Sequence, residues 1–145
     1  MAYSTFPLFQ SHLDLSHSYW ERLVQKGDHV IDATCGNGHD TLKLASLALT
    51  DSSGQIWGLD IQEQALENTR RLLEEKLPKS HLEHICLLNK SHHTFPPEIA
   101  EESVKLIVYN LGYLPGGNKS STTKVESTLE SLDNAKKLIL PGGAI

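Results

Sequence analysis

A chain of 145 residues is long enough for one α/β domain with a buried core and too short for two, and its 39% apolar content is that of an ordinary globular protein. A net charge of −5 argues against a phosphate-binding surface spread over the whole molecule, although basic residues gathered on one face would still allow RNA. The two cysteines form no CxxC pair, the N-terminus shows no basic segment followed by an apolar run, and no apolar stretch nears the roughly 18 residues of a membrane span. A reduced, cytoplasmic protein that does not cross a membrane is therefore expected. The eight histidines do not imply a metal: His81 and His84 lack an HExxH context, and the side chains of adjacent His92 and His93 would diverge on a strand.

Along the chain, Leu15, Tyr19, Leu23 and Val24 recur at helical spacing in LSHSYWERLVQK (15–26), and Gly27 stands where a helix C′ residue would. HVIDA (29–33) is a short β-rich run that leads into a glycine-containing loop and then the helical TLKLASLAL. IWGLD (56–60) predicts a second strand, and IQEQALENTRRLLEEKL an amphipathic helix stopped by Pro78. HICLLN (84–89) predicts a third strand, PPEIAEE a short helix with proline at its start, and VKLIVYNL (104–111) a fourth strand. A Gly- and Ser-rich loop, a long helix near 122–139 and LPGGAI complete the chain.

Strands this apolar, alternating with helices, predict an α/β fold with a parallel sheet covered on both faces. Ligands of such sheets bind beyond the carboxyl ends of the strands, at the switch point. Every unusual cluster lies at such an end: 32–41, 60–62, 90–93 and 110–119.

In the first cluster, Gly36 and Gly38 allow a tight turn and a close backbone approach, while Asp40 and Thr41 open the following helix. Alone this could be a plain strand-to-helix turn. Asp60 strengthens it: it stands 22 residues beyond Gly38, where nucleoside-binding βαβ units place the acid that holds ribose hydroxyls, although it could also cap the next helix. Thr41 occupies the third glycine position of GxGxxG, and Asp32 precedes the loop; both argue against a nicotinamide dehydrogenase. An acid at Asp32 suits a ligand with a cationic amine or sulfonium, as in S-adenosylmethionine. The run Asn110-Leu-Gly-Tyr113 resembles the (Asp/Asn)-Pro-Pro-(Tyr/Phe) signature of methyltransferases acting on amine nitrogens.

Taken together, DATCGNGHDT, GLDIQ, NKSHH and NLGYLPGGNKS resemble the bacterial rRNA methylase family over nearly all of residues 12–145. These are class I S-adenosylmethionine-dependent methyltransferases, and some members methylate the aminomethyl group of 5-aminomethyl-2-thiouridine at the tRNA wobble position. The resemblance implies a Rossmann-like fold and S-adenosylmethionine as cofactor. It implies cofactor contacts from Asp32, Thr34, Gly36, Asn37, Gly38, Asp40, Thr41, Asp60, Ile61, Gln62, Ser91, His92 and Asn110. Asn110 and Tyr113 correspond to the methyl-transfer site, and RNA, as tRNA, is the implied substrate. His12 and His17 receive no role; His93 could contact substrate or cap the helix at 95–101, and the cap is favoured.

The resemblance organises residues 1–145 as one methyltransferase domain, with an N-terminal helix at about 12–27, a cofactor-binding half at about 28–93 and an acceptor-site half at about 94–145. The family's sheet has seven strands, so a chain ending at Ala144–Ile145, just inside a fifth, reads as incomplete. A bare strand edge there would favour pairing with another chain, so a homodimer is an expectation. Methylation of rRNA or of a small molecule, and a cofactor-binding fragment without activity, remain open beside the tRNA reading.

Overall fold

The computed structural model describes residues 12–111 and 125–145, apart from the side chains of 12–13 and 125–127. Helix α1 (His12–Leu23) precedes β1 (His29–Asp32), α2 (His39–Ala48), β2 (Gln55–Asp60), α3 (Glu63–Lys76), the short α4 (Lys79–Leu82) and β3 (Ile85–Asn89). Then come β4 (Val104–Val108), α5 (Val125–Leu138) and β5 (Ile139–Ala144). The strands form one sheet in the order β3-β2-β1-β4-β5, with every neighbouring pair parallel.

Strand alternation sends successive residues of β1 and β4 to opposite faces. Val30, Leu106 and Val108 pack with Trp20 of α1, Val24 just beyond it, and Leu44, Ala45 and Ala48 of α2. Ile31 and Ile107 pack on the other face with Ala135 and Leu138 of α5 and with Ile99. Because both faces are covered, the strands can be apolar throughout, the pattern that made them legible. Helix α3 lies against α2, β2 and β3. It ends where expected: Leu77, before Pro78, is extended (φ −113, ψ 148), as steric pressure from a following proline requires.

The structure corrects four boundaries. Helix α1 stops at Leu23, so Gly27 is not its C′ residue; the positive φ of Gly27 (96°) instead lets its N–H reach the carbonyl of Ala48, at 2.8 Å. Residues 95–101 form turns, not a helix, with a single Ile99 N–H to Pro96 carbonyl bond (3.1 Å). Pro97 disfavours helical geometry at Pro96. Further on, the N–H groups of Glu102 and Ser103 donate to the carbonyls of Lys137 and Leu138 at the end of α5, with Glu102 left-handed (φ 52). Strand β4 ends at Val108 and not at 111, and β5 begins at Ile139, before the proline, with its register against β4 shifted between Val104 and Leu106. Among the described residues no helix is long and apolar enough to cross a membrane.

Gly38 sets the distance between α2 and α3. It has φ 91° as the residue preceding α2, and a Cβ there would lie 2.8 Å from the Cα of Thr69. Gly38→Ala is therefore expected to cost roughly 2–4 kcal/mol, since the obstacle is backbone and the dihedral is strained. Urea unfolding would register this as a lower midpoint; an unchanged midpoint would mean that α3 can yield.

Candidate functional site

The chain runs outward through β1, β2 and β3, then returns to place β4 and β5 on the other side of β1. The switch point thus lies between β1 and β4, and the loops after β1, β2, β3 and β4 all open at this carboxyl end.

Asp32 closes β1 and is completely buried. The Thr41 hydroxyl donates to its Oδ2 at 2.7 Å, and the Thr34 N–H donates to its Oδ1 at 3.2 Å. Burial raises its pKa to about 7, against the lowering effect of those two donors; the nearby carboxylates of Asp40 and Asp60 raise it further. Thr41 is fully buried as well. Asp32 therefore presents no exposed oxygen at the rim, and both of its oxygens are held by neighbouring donors.

Gly36 and Gly38, paired in the motif, do different work. A Cβ on Gly36 (φ 57) would meet nothing within 4 Å, so this turn faces open space, whereas Gly38 faces α3. Asp60 joins the two loops: its Oδ2 accepts the Gly36 N–H at 3.0 Å and its Oδ1 accepts the Gln62 N–H at 2.8 Å. The Thr69 hydroxyl donates to the Gly36 carbonyl (3.1 Å), and the Asn68 amide donates to Asn37 Oδ1 (3.1 Å), so α3 braces the glycine loop from behind. Ile61 is 41% exposed beside Asp60, an apolar surface at the rim. Cys35 is buried, which pushes its thiol pKa well above the usual value and keeps it neutral.

After β3, the Ser91 hydroxyl accepts the His93 N–H at 3.3 Å. His92 is buried with its ring edge-on to Tyr109 (centroids 5.2 Å apart), and desolvation lowers its pKa, favouring neutral imidazole. His93 has no helix to cap; instead its carbonyl accepts the Asn134 amide of α5 at 2.6 Å. After β4, the Tyr109 hydroxyl pairs with Ser131 of α5 (2.5 Å), and the Asn110 N–H donates to the Thr34 hydroxyl at 2.6 Å. Asn110 is exposed at the rim. Tyr113 and the rest of the 112–119 run lie outside the described residues.

Three contributors escaped the sequence reading. His17 of α1 shares a 2.9 Å hydrogen bond with Asp40 at the start of α2, while its ring packs on Trp20. Tyr109 and Ser131 brace the loop after β4 from α5. Tyr109 could have been suspected from its place beside Asn110; nothing in the local pattern pairs His17 with Asp40 or Tyr109 with Ser131. A groove of about 610 Å³ runs between α1 and β4–β5; Tyr109 lines it, but no residue of 32–41 or 60–62 does. Among the described residues no three His, Cys, Asp or Glu side chains are grouped to hold a metal.

Solved structures with this arrangement include a "putative rRNA-methylase" from Clostridium thermocellum, 36% identical, with a TM-score of 0.80 over 91% of this chain and 68% of that one. Another is a "putative methyltransferase" from Streptococcus mutans in complex with S-adenosylhomocysteine, 29% identical, with a TM-score of 0.77 over 93% of this chain and 70% of that one. The fold is accordingly the Rossmann-like class I methyltransferase fold. Residues 56–145 match the family described as "Putative rRNA methylase", and the chain belongs to that family. A curated relative, the chloroplastic tRNA (mnm(5)s(2)U34)-methyltransferase of Arabidopsis thaliana, is 41% identical over 136 residues. The match takes in 91% of this chain but spans only 50% of the length of that relative.

The buried Asp32 has a consequence for stability. Its folded pKa of about 7 lies above the roughly 3.9 of an unfolded aspartate. Between those values the folded state holds a proton that the unfolded state has lost, so this residue's contribution to stability falls as pH rises from about 4 to 7. Asp32→Asn is expected to flatten that part of the profile. Urea unfolding at pH 5 and pH 8 tests it, and an identical pH slope in parent and variant would mean that Asp32 is ionised throughout.

Proposed function

We propose that this chain carries the cofactor site and the amine-binding loop of an S-adenosylmethionine-dependent RNA methyltransferase. Its proposed acceptor is the aminomethyl group of a modified wobble uridine in tRNA. The observation that carries the reading is the placement of Asp32 and Asp60 on neighbouring strand ends around Gly36, whose missing Cβ leaves open space at the switch point. The name of the 41% identical Arabidopsis relative supports the choice of acceptor.

The site's donor set fits that cofactor. Each Asp60 oxygen accepts one backbone N–H and keeps lone-pair capacity for a ribose hydroxyl. In this reading Ile61 offers an exposed apolar face to a flat base, and Gln62 after β2 with Ser91 and His92 after the neighbouring β3 belong to the same side of the site, His92 with its charged form disfavoured by burial. Asn37, Gly38, Asp40 and Thr41 shape the turn on the methionine side, and ionised Asp32 favours a cationic group there. S-adenosylmethionine supplies the electrophilic methyl group when bound. The carboxamide oxygen of Asn110 accepts a hydrogen bond from the acceptor amine, turning the nitrogen lone pair toward the methyl; alignment of this kind is the main source of rate in a direct displacement. Asn110 has no basic atom; water is the proposed acceptor of the displaced proton, with His93 and Tyr113 as weaker candidates. The resemblance of its motif assigns Tyr113 to stacking on the uracil ring.

Labelled S-adenosylmethionine fed to total RNA, followed by nucleoside analysis, is expected to mark a single modified uridine in tRNA. Label confined to rRNA or to free nucleosides would overturn the choice of acceptor. Asn110→Ala should slow transfer roughly 100-fold, about 2–3 kcal/mol, while cofactor affinity stays near its parent value. A full-rate variant would remove Asn110 from the reaction. Tyr113→Phe should be mild and Tyr113→Ala severe if stacking is its role. Asp60→Ala should cost about 2–3 kcal/mol of cofactor binding by calorimetry, with a melting curve to separate that loss from loosening of the Gly36 turn. Unchanged affinity would move the ribose elsewhere.

A further inference from the structure

Thr34 faces both halves of the site at once. The backbone ladder between β1 and β4 runs to the pairing of Asp32 with Val108, and the Ala33 N–H still reaches the Val108 carbonyl at 2.9 Å. Beyond that point the two strands part. The N–H of Asn110 would need a backbone carbonyl on an extension of β1 to continue the ladder. It donates instead to the Thr34 hydroxyl oxygen, at 2.6 Å. The N–H of the same threonine donates to Oδ1 of buried Asp32, whose other oxygen is held by Thr41. Thr34 alone thus ties the Asn110 backbone to the buried Asp32 carboxylate, through its hydroxyl on one side and its N–H on the other.

We propose that Thr34 is a positioning residue that sets the register of the loop after β4 against the glycine loop after β1, so that the placement of Asn110 follows the state of the loop beside the cofactor. This role rests on the function proposed above and replaces direct cofactor contact as the work of Thr34. The chemistry needs an acceptor oxygen on Cβ at residue 34. Serine retains that oxygen, and valine keeps the branched shape without it. The Asn110 N–H sits at an exposed rim, so a lost acceptor is taken over by water and no buried polar group is stranded. The expected defect of Thr34→Val is therefore misplacement of Asn110 and not unfolding.

Amide hydrogen exchange at Asn110, followed by NMR in the full chain without ligand, tests the tie directly. Exchange is expected to rise on the order of tenfold in Thr34→Val and to stay within about twofold of the parent in Thr34→Ser. An unchanged rate in Thr34→Val would overturn the proposal whatever the chain binds. S-adenosylhomocysteine is then added as probe. It should slow Asn110 exchange in the parent and in Thr34→Ser but not in Thr34→Val, with its Kd within about threefold across all three. With tRNA as acceptor, kcat should fall about tenfold or more in Thr34→Val and recover in Thr34→Ser, at constant KM for S-adenosylmethionine. A Kd that weakens in step with kcat would make Thr34 a direct cofactor contact and overturn the positioning role. A parent chain that fails to bind the probe counts against the proposed function, while ligand-free exchange still decides the tie itself.

Discussion

Strand β1 is only four residues long, yet both halves of the sheet hang on it: β2 pairs with one edge and β4 with the other, both parallel. Parallel pairing aligns the carboxyl ends of all three strands, so the loops that follow Asp32, Asp60 and Val108 open on one rim. Reversal of the strand order at β1 makes the carboxyl end between β1 and β4 the switch point of the sheet. A central strand so placed must be covered on both faces, and Val30 and Ile31, pointing opposite ways, are both completely buried.

The same constraint brings a carboxylate into the interior. Asp32 continues β1 at its buried end, and the Thr41 hydroxyl and Thr34 N–H stand where water otherwise would. Such an arrangement costs stability when the group ionises, which is reflected in its raised pKa. Sites that hold charged ligands commonly carry costs of this kind, because the field that destabilises the empty site is available to a ligand of opposite charge. Asp60 solves a related problem differently. It stays near the surface and spends its first hydrogen bonds on the Gly36 and Gln62 amides, which fixes two loops that would otherwise move independently.

Helix α5 shows how much of the rim depends on distant sequence. Ser131 and Asn134, one turn apart, reach Tyr109 and the His93 carbonyl, bracing the loops after β4 and β3 from one helix. The last carbonyls of α5 also take the Glu102 and Ser103 N–H groups. This explains why a sequence that reads as a short helix at 95–101 folds as turns: its neighbourhood offers acceptors that a local helix does not, and consecutive prolines weaken the local alternative.

Strand and helix positions were legible from residues alone because each rests on periodicity or on punctuation: continuous apolar runs for β1 to β4, helical spacing in α1 and α3, and Pro78 as a stop. The clustering of unusual residues at strand ends likewise followed from the order of elements, and the acidic residues Asp32 and Asp60 could be placed on neighbouring ends. Only the tertiary structure distinguished Gly36, which faces open space, from Gly38, which faces α3, since both sit in the same motif with positive φ. It alone showed that Asp32 is buried, that Thr34 reaches Asn110 across 76 positions, and that His17 meets Asp40 across 23. The physical reason is one of range. Periodicity and capping act over a few residues and leave their mark in the local sequence. The partner of a side chain is chosen by how the sheet and helices pack, and that choice leaves no local trace.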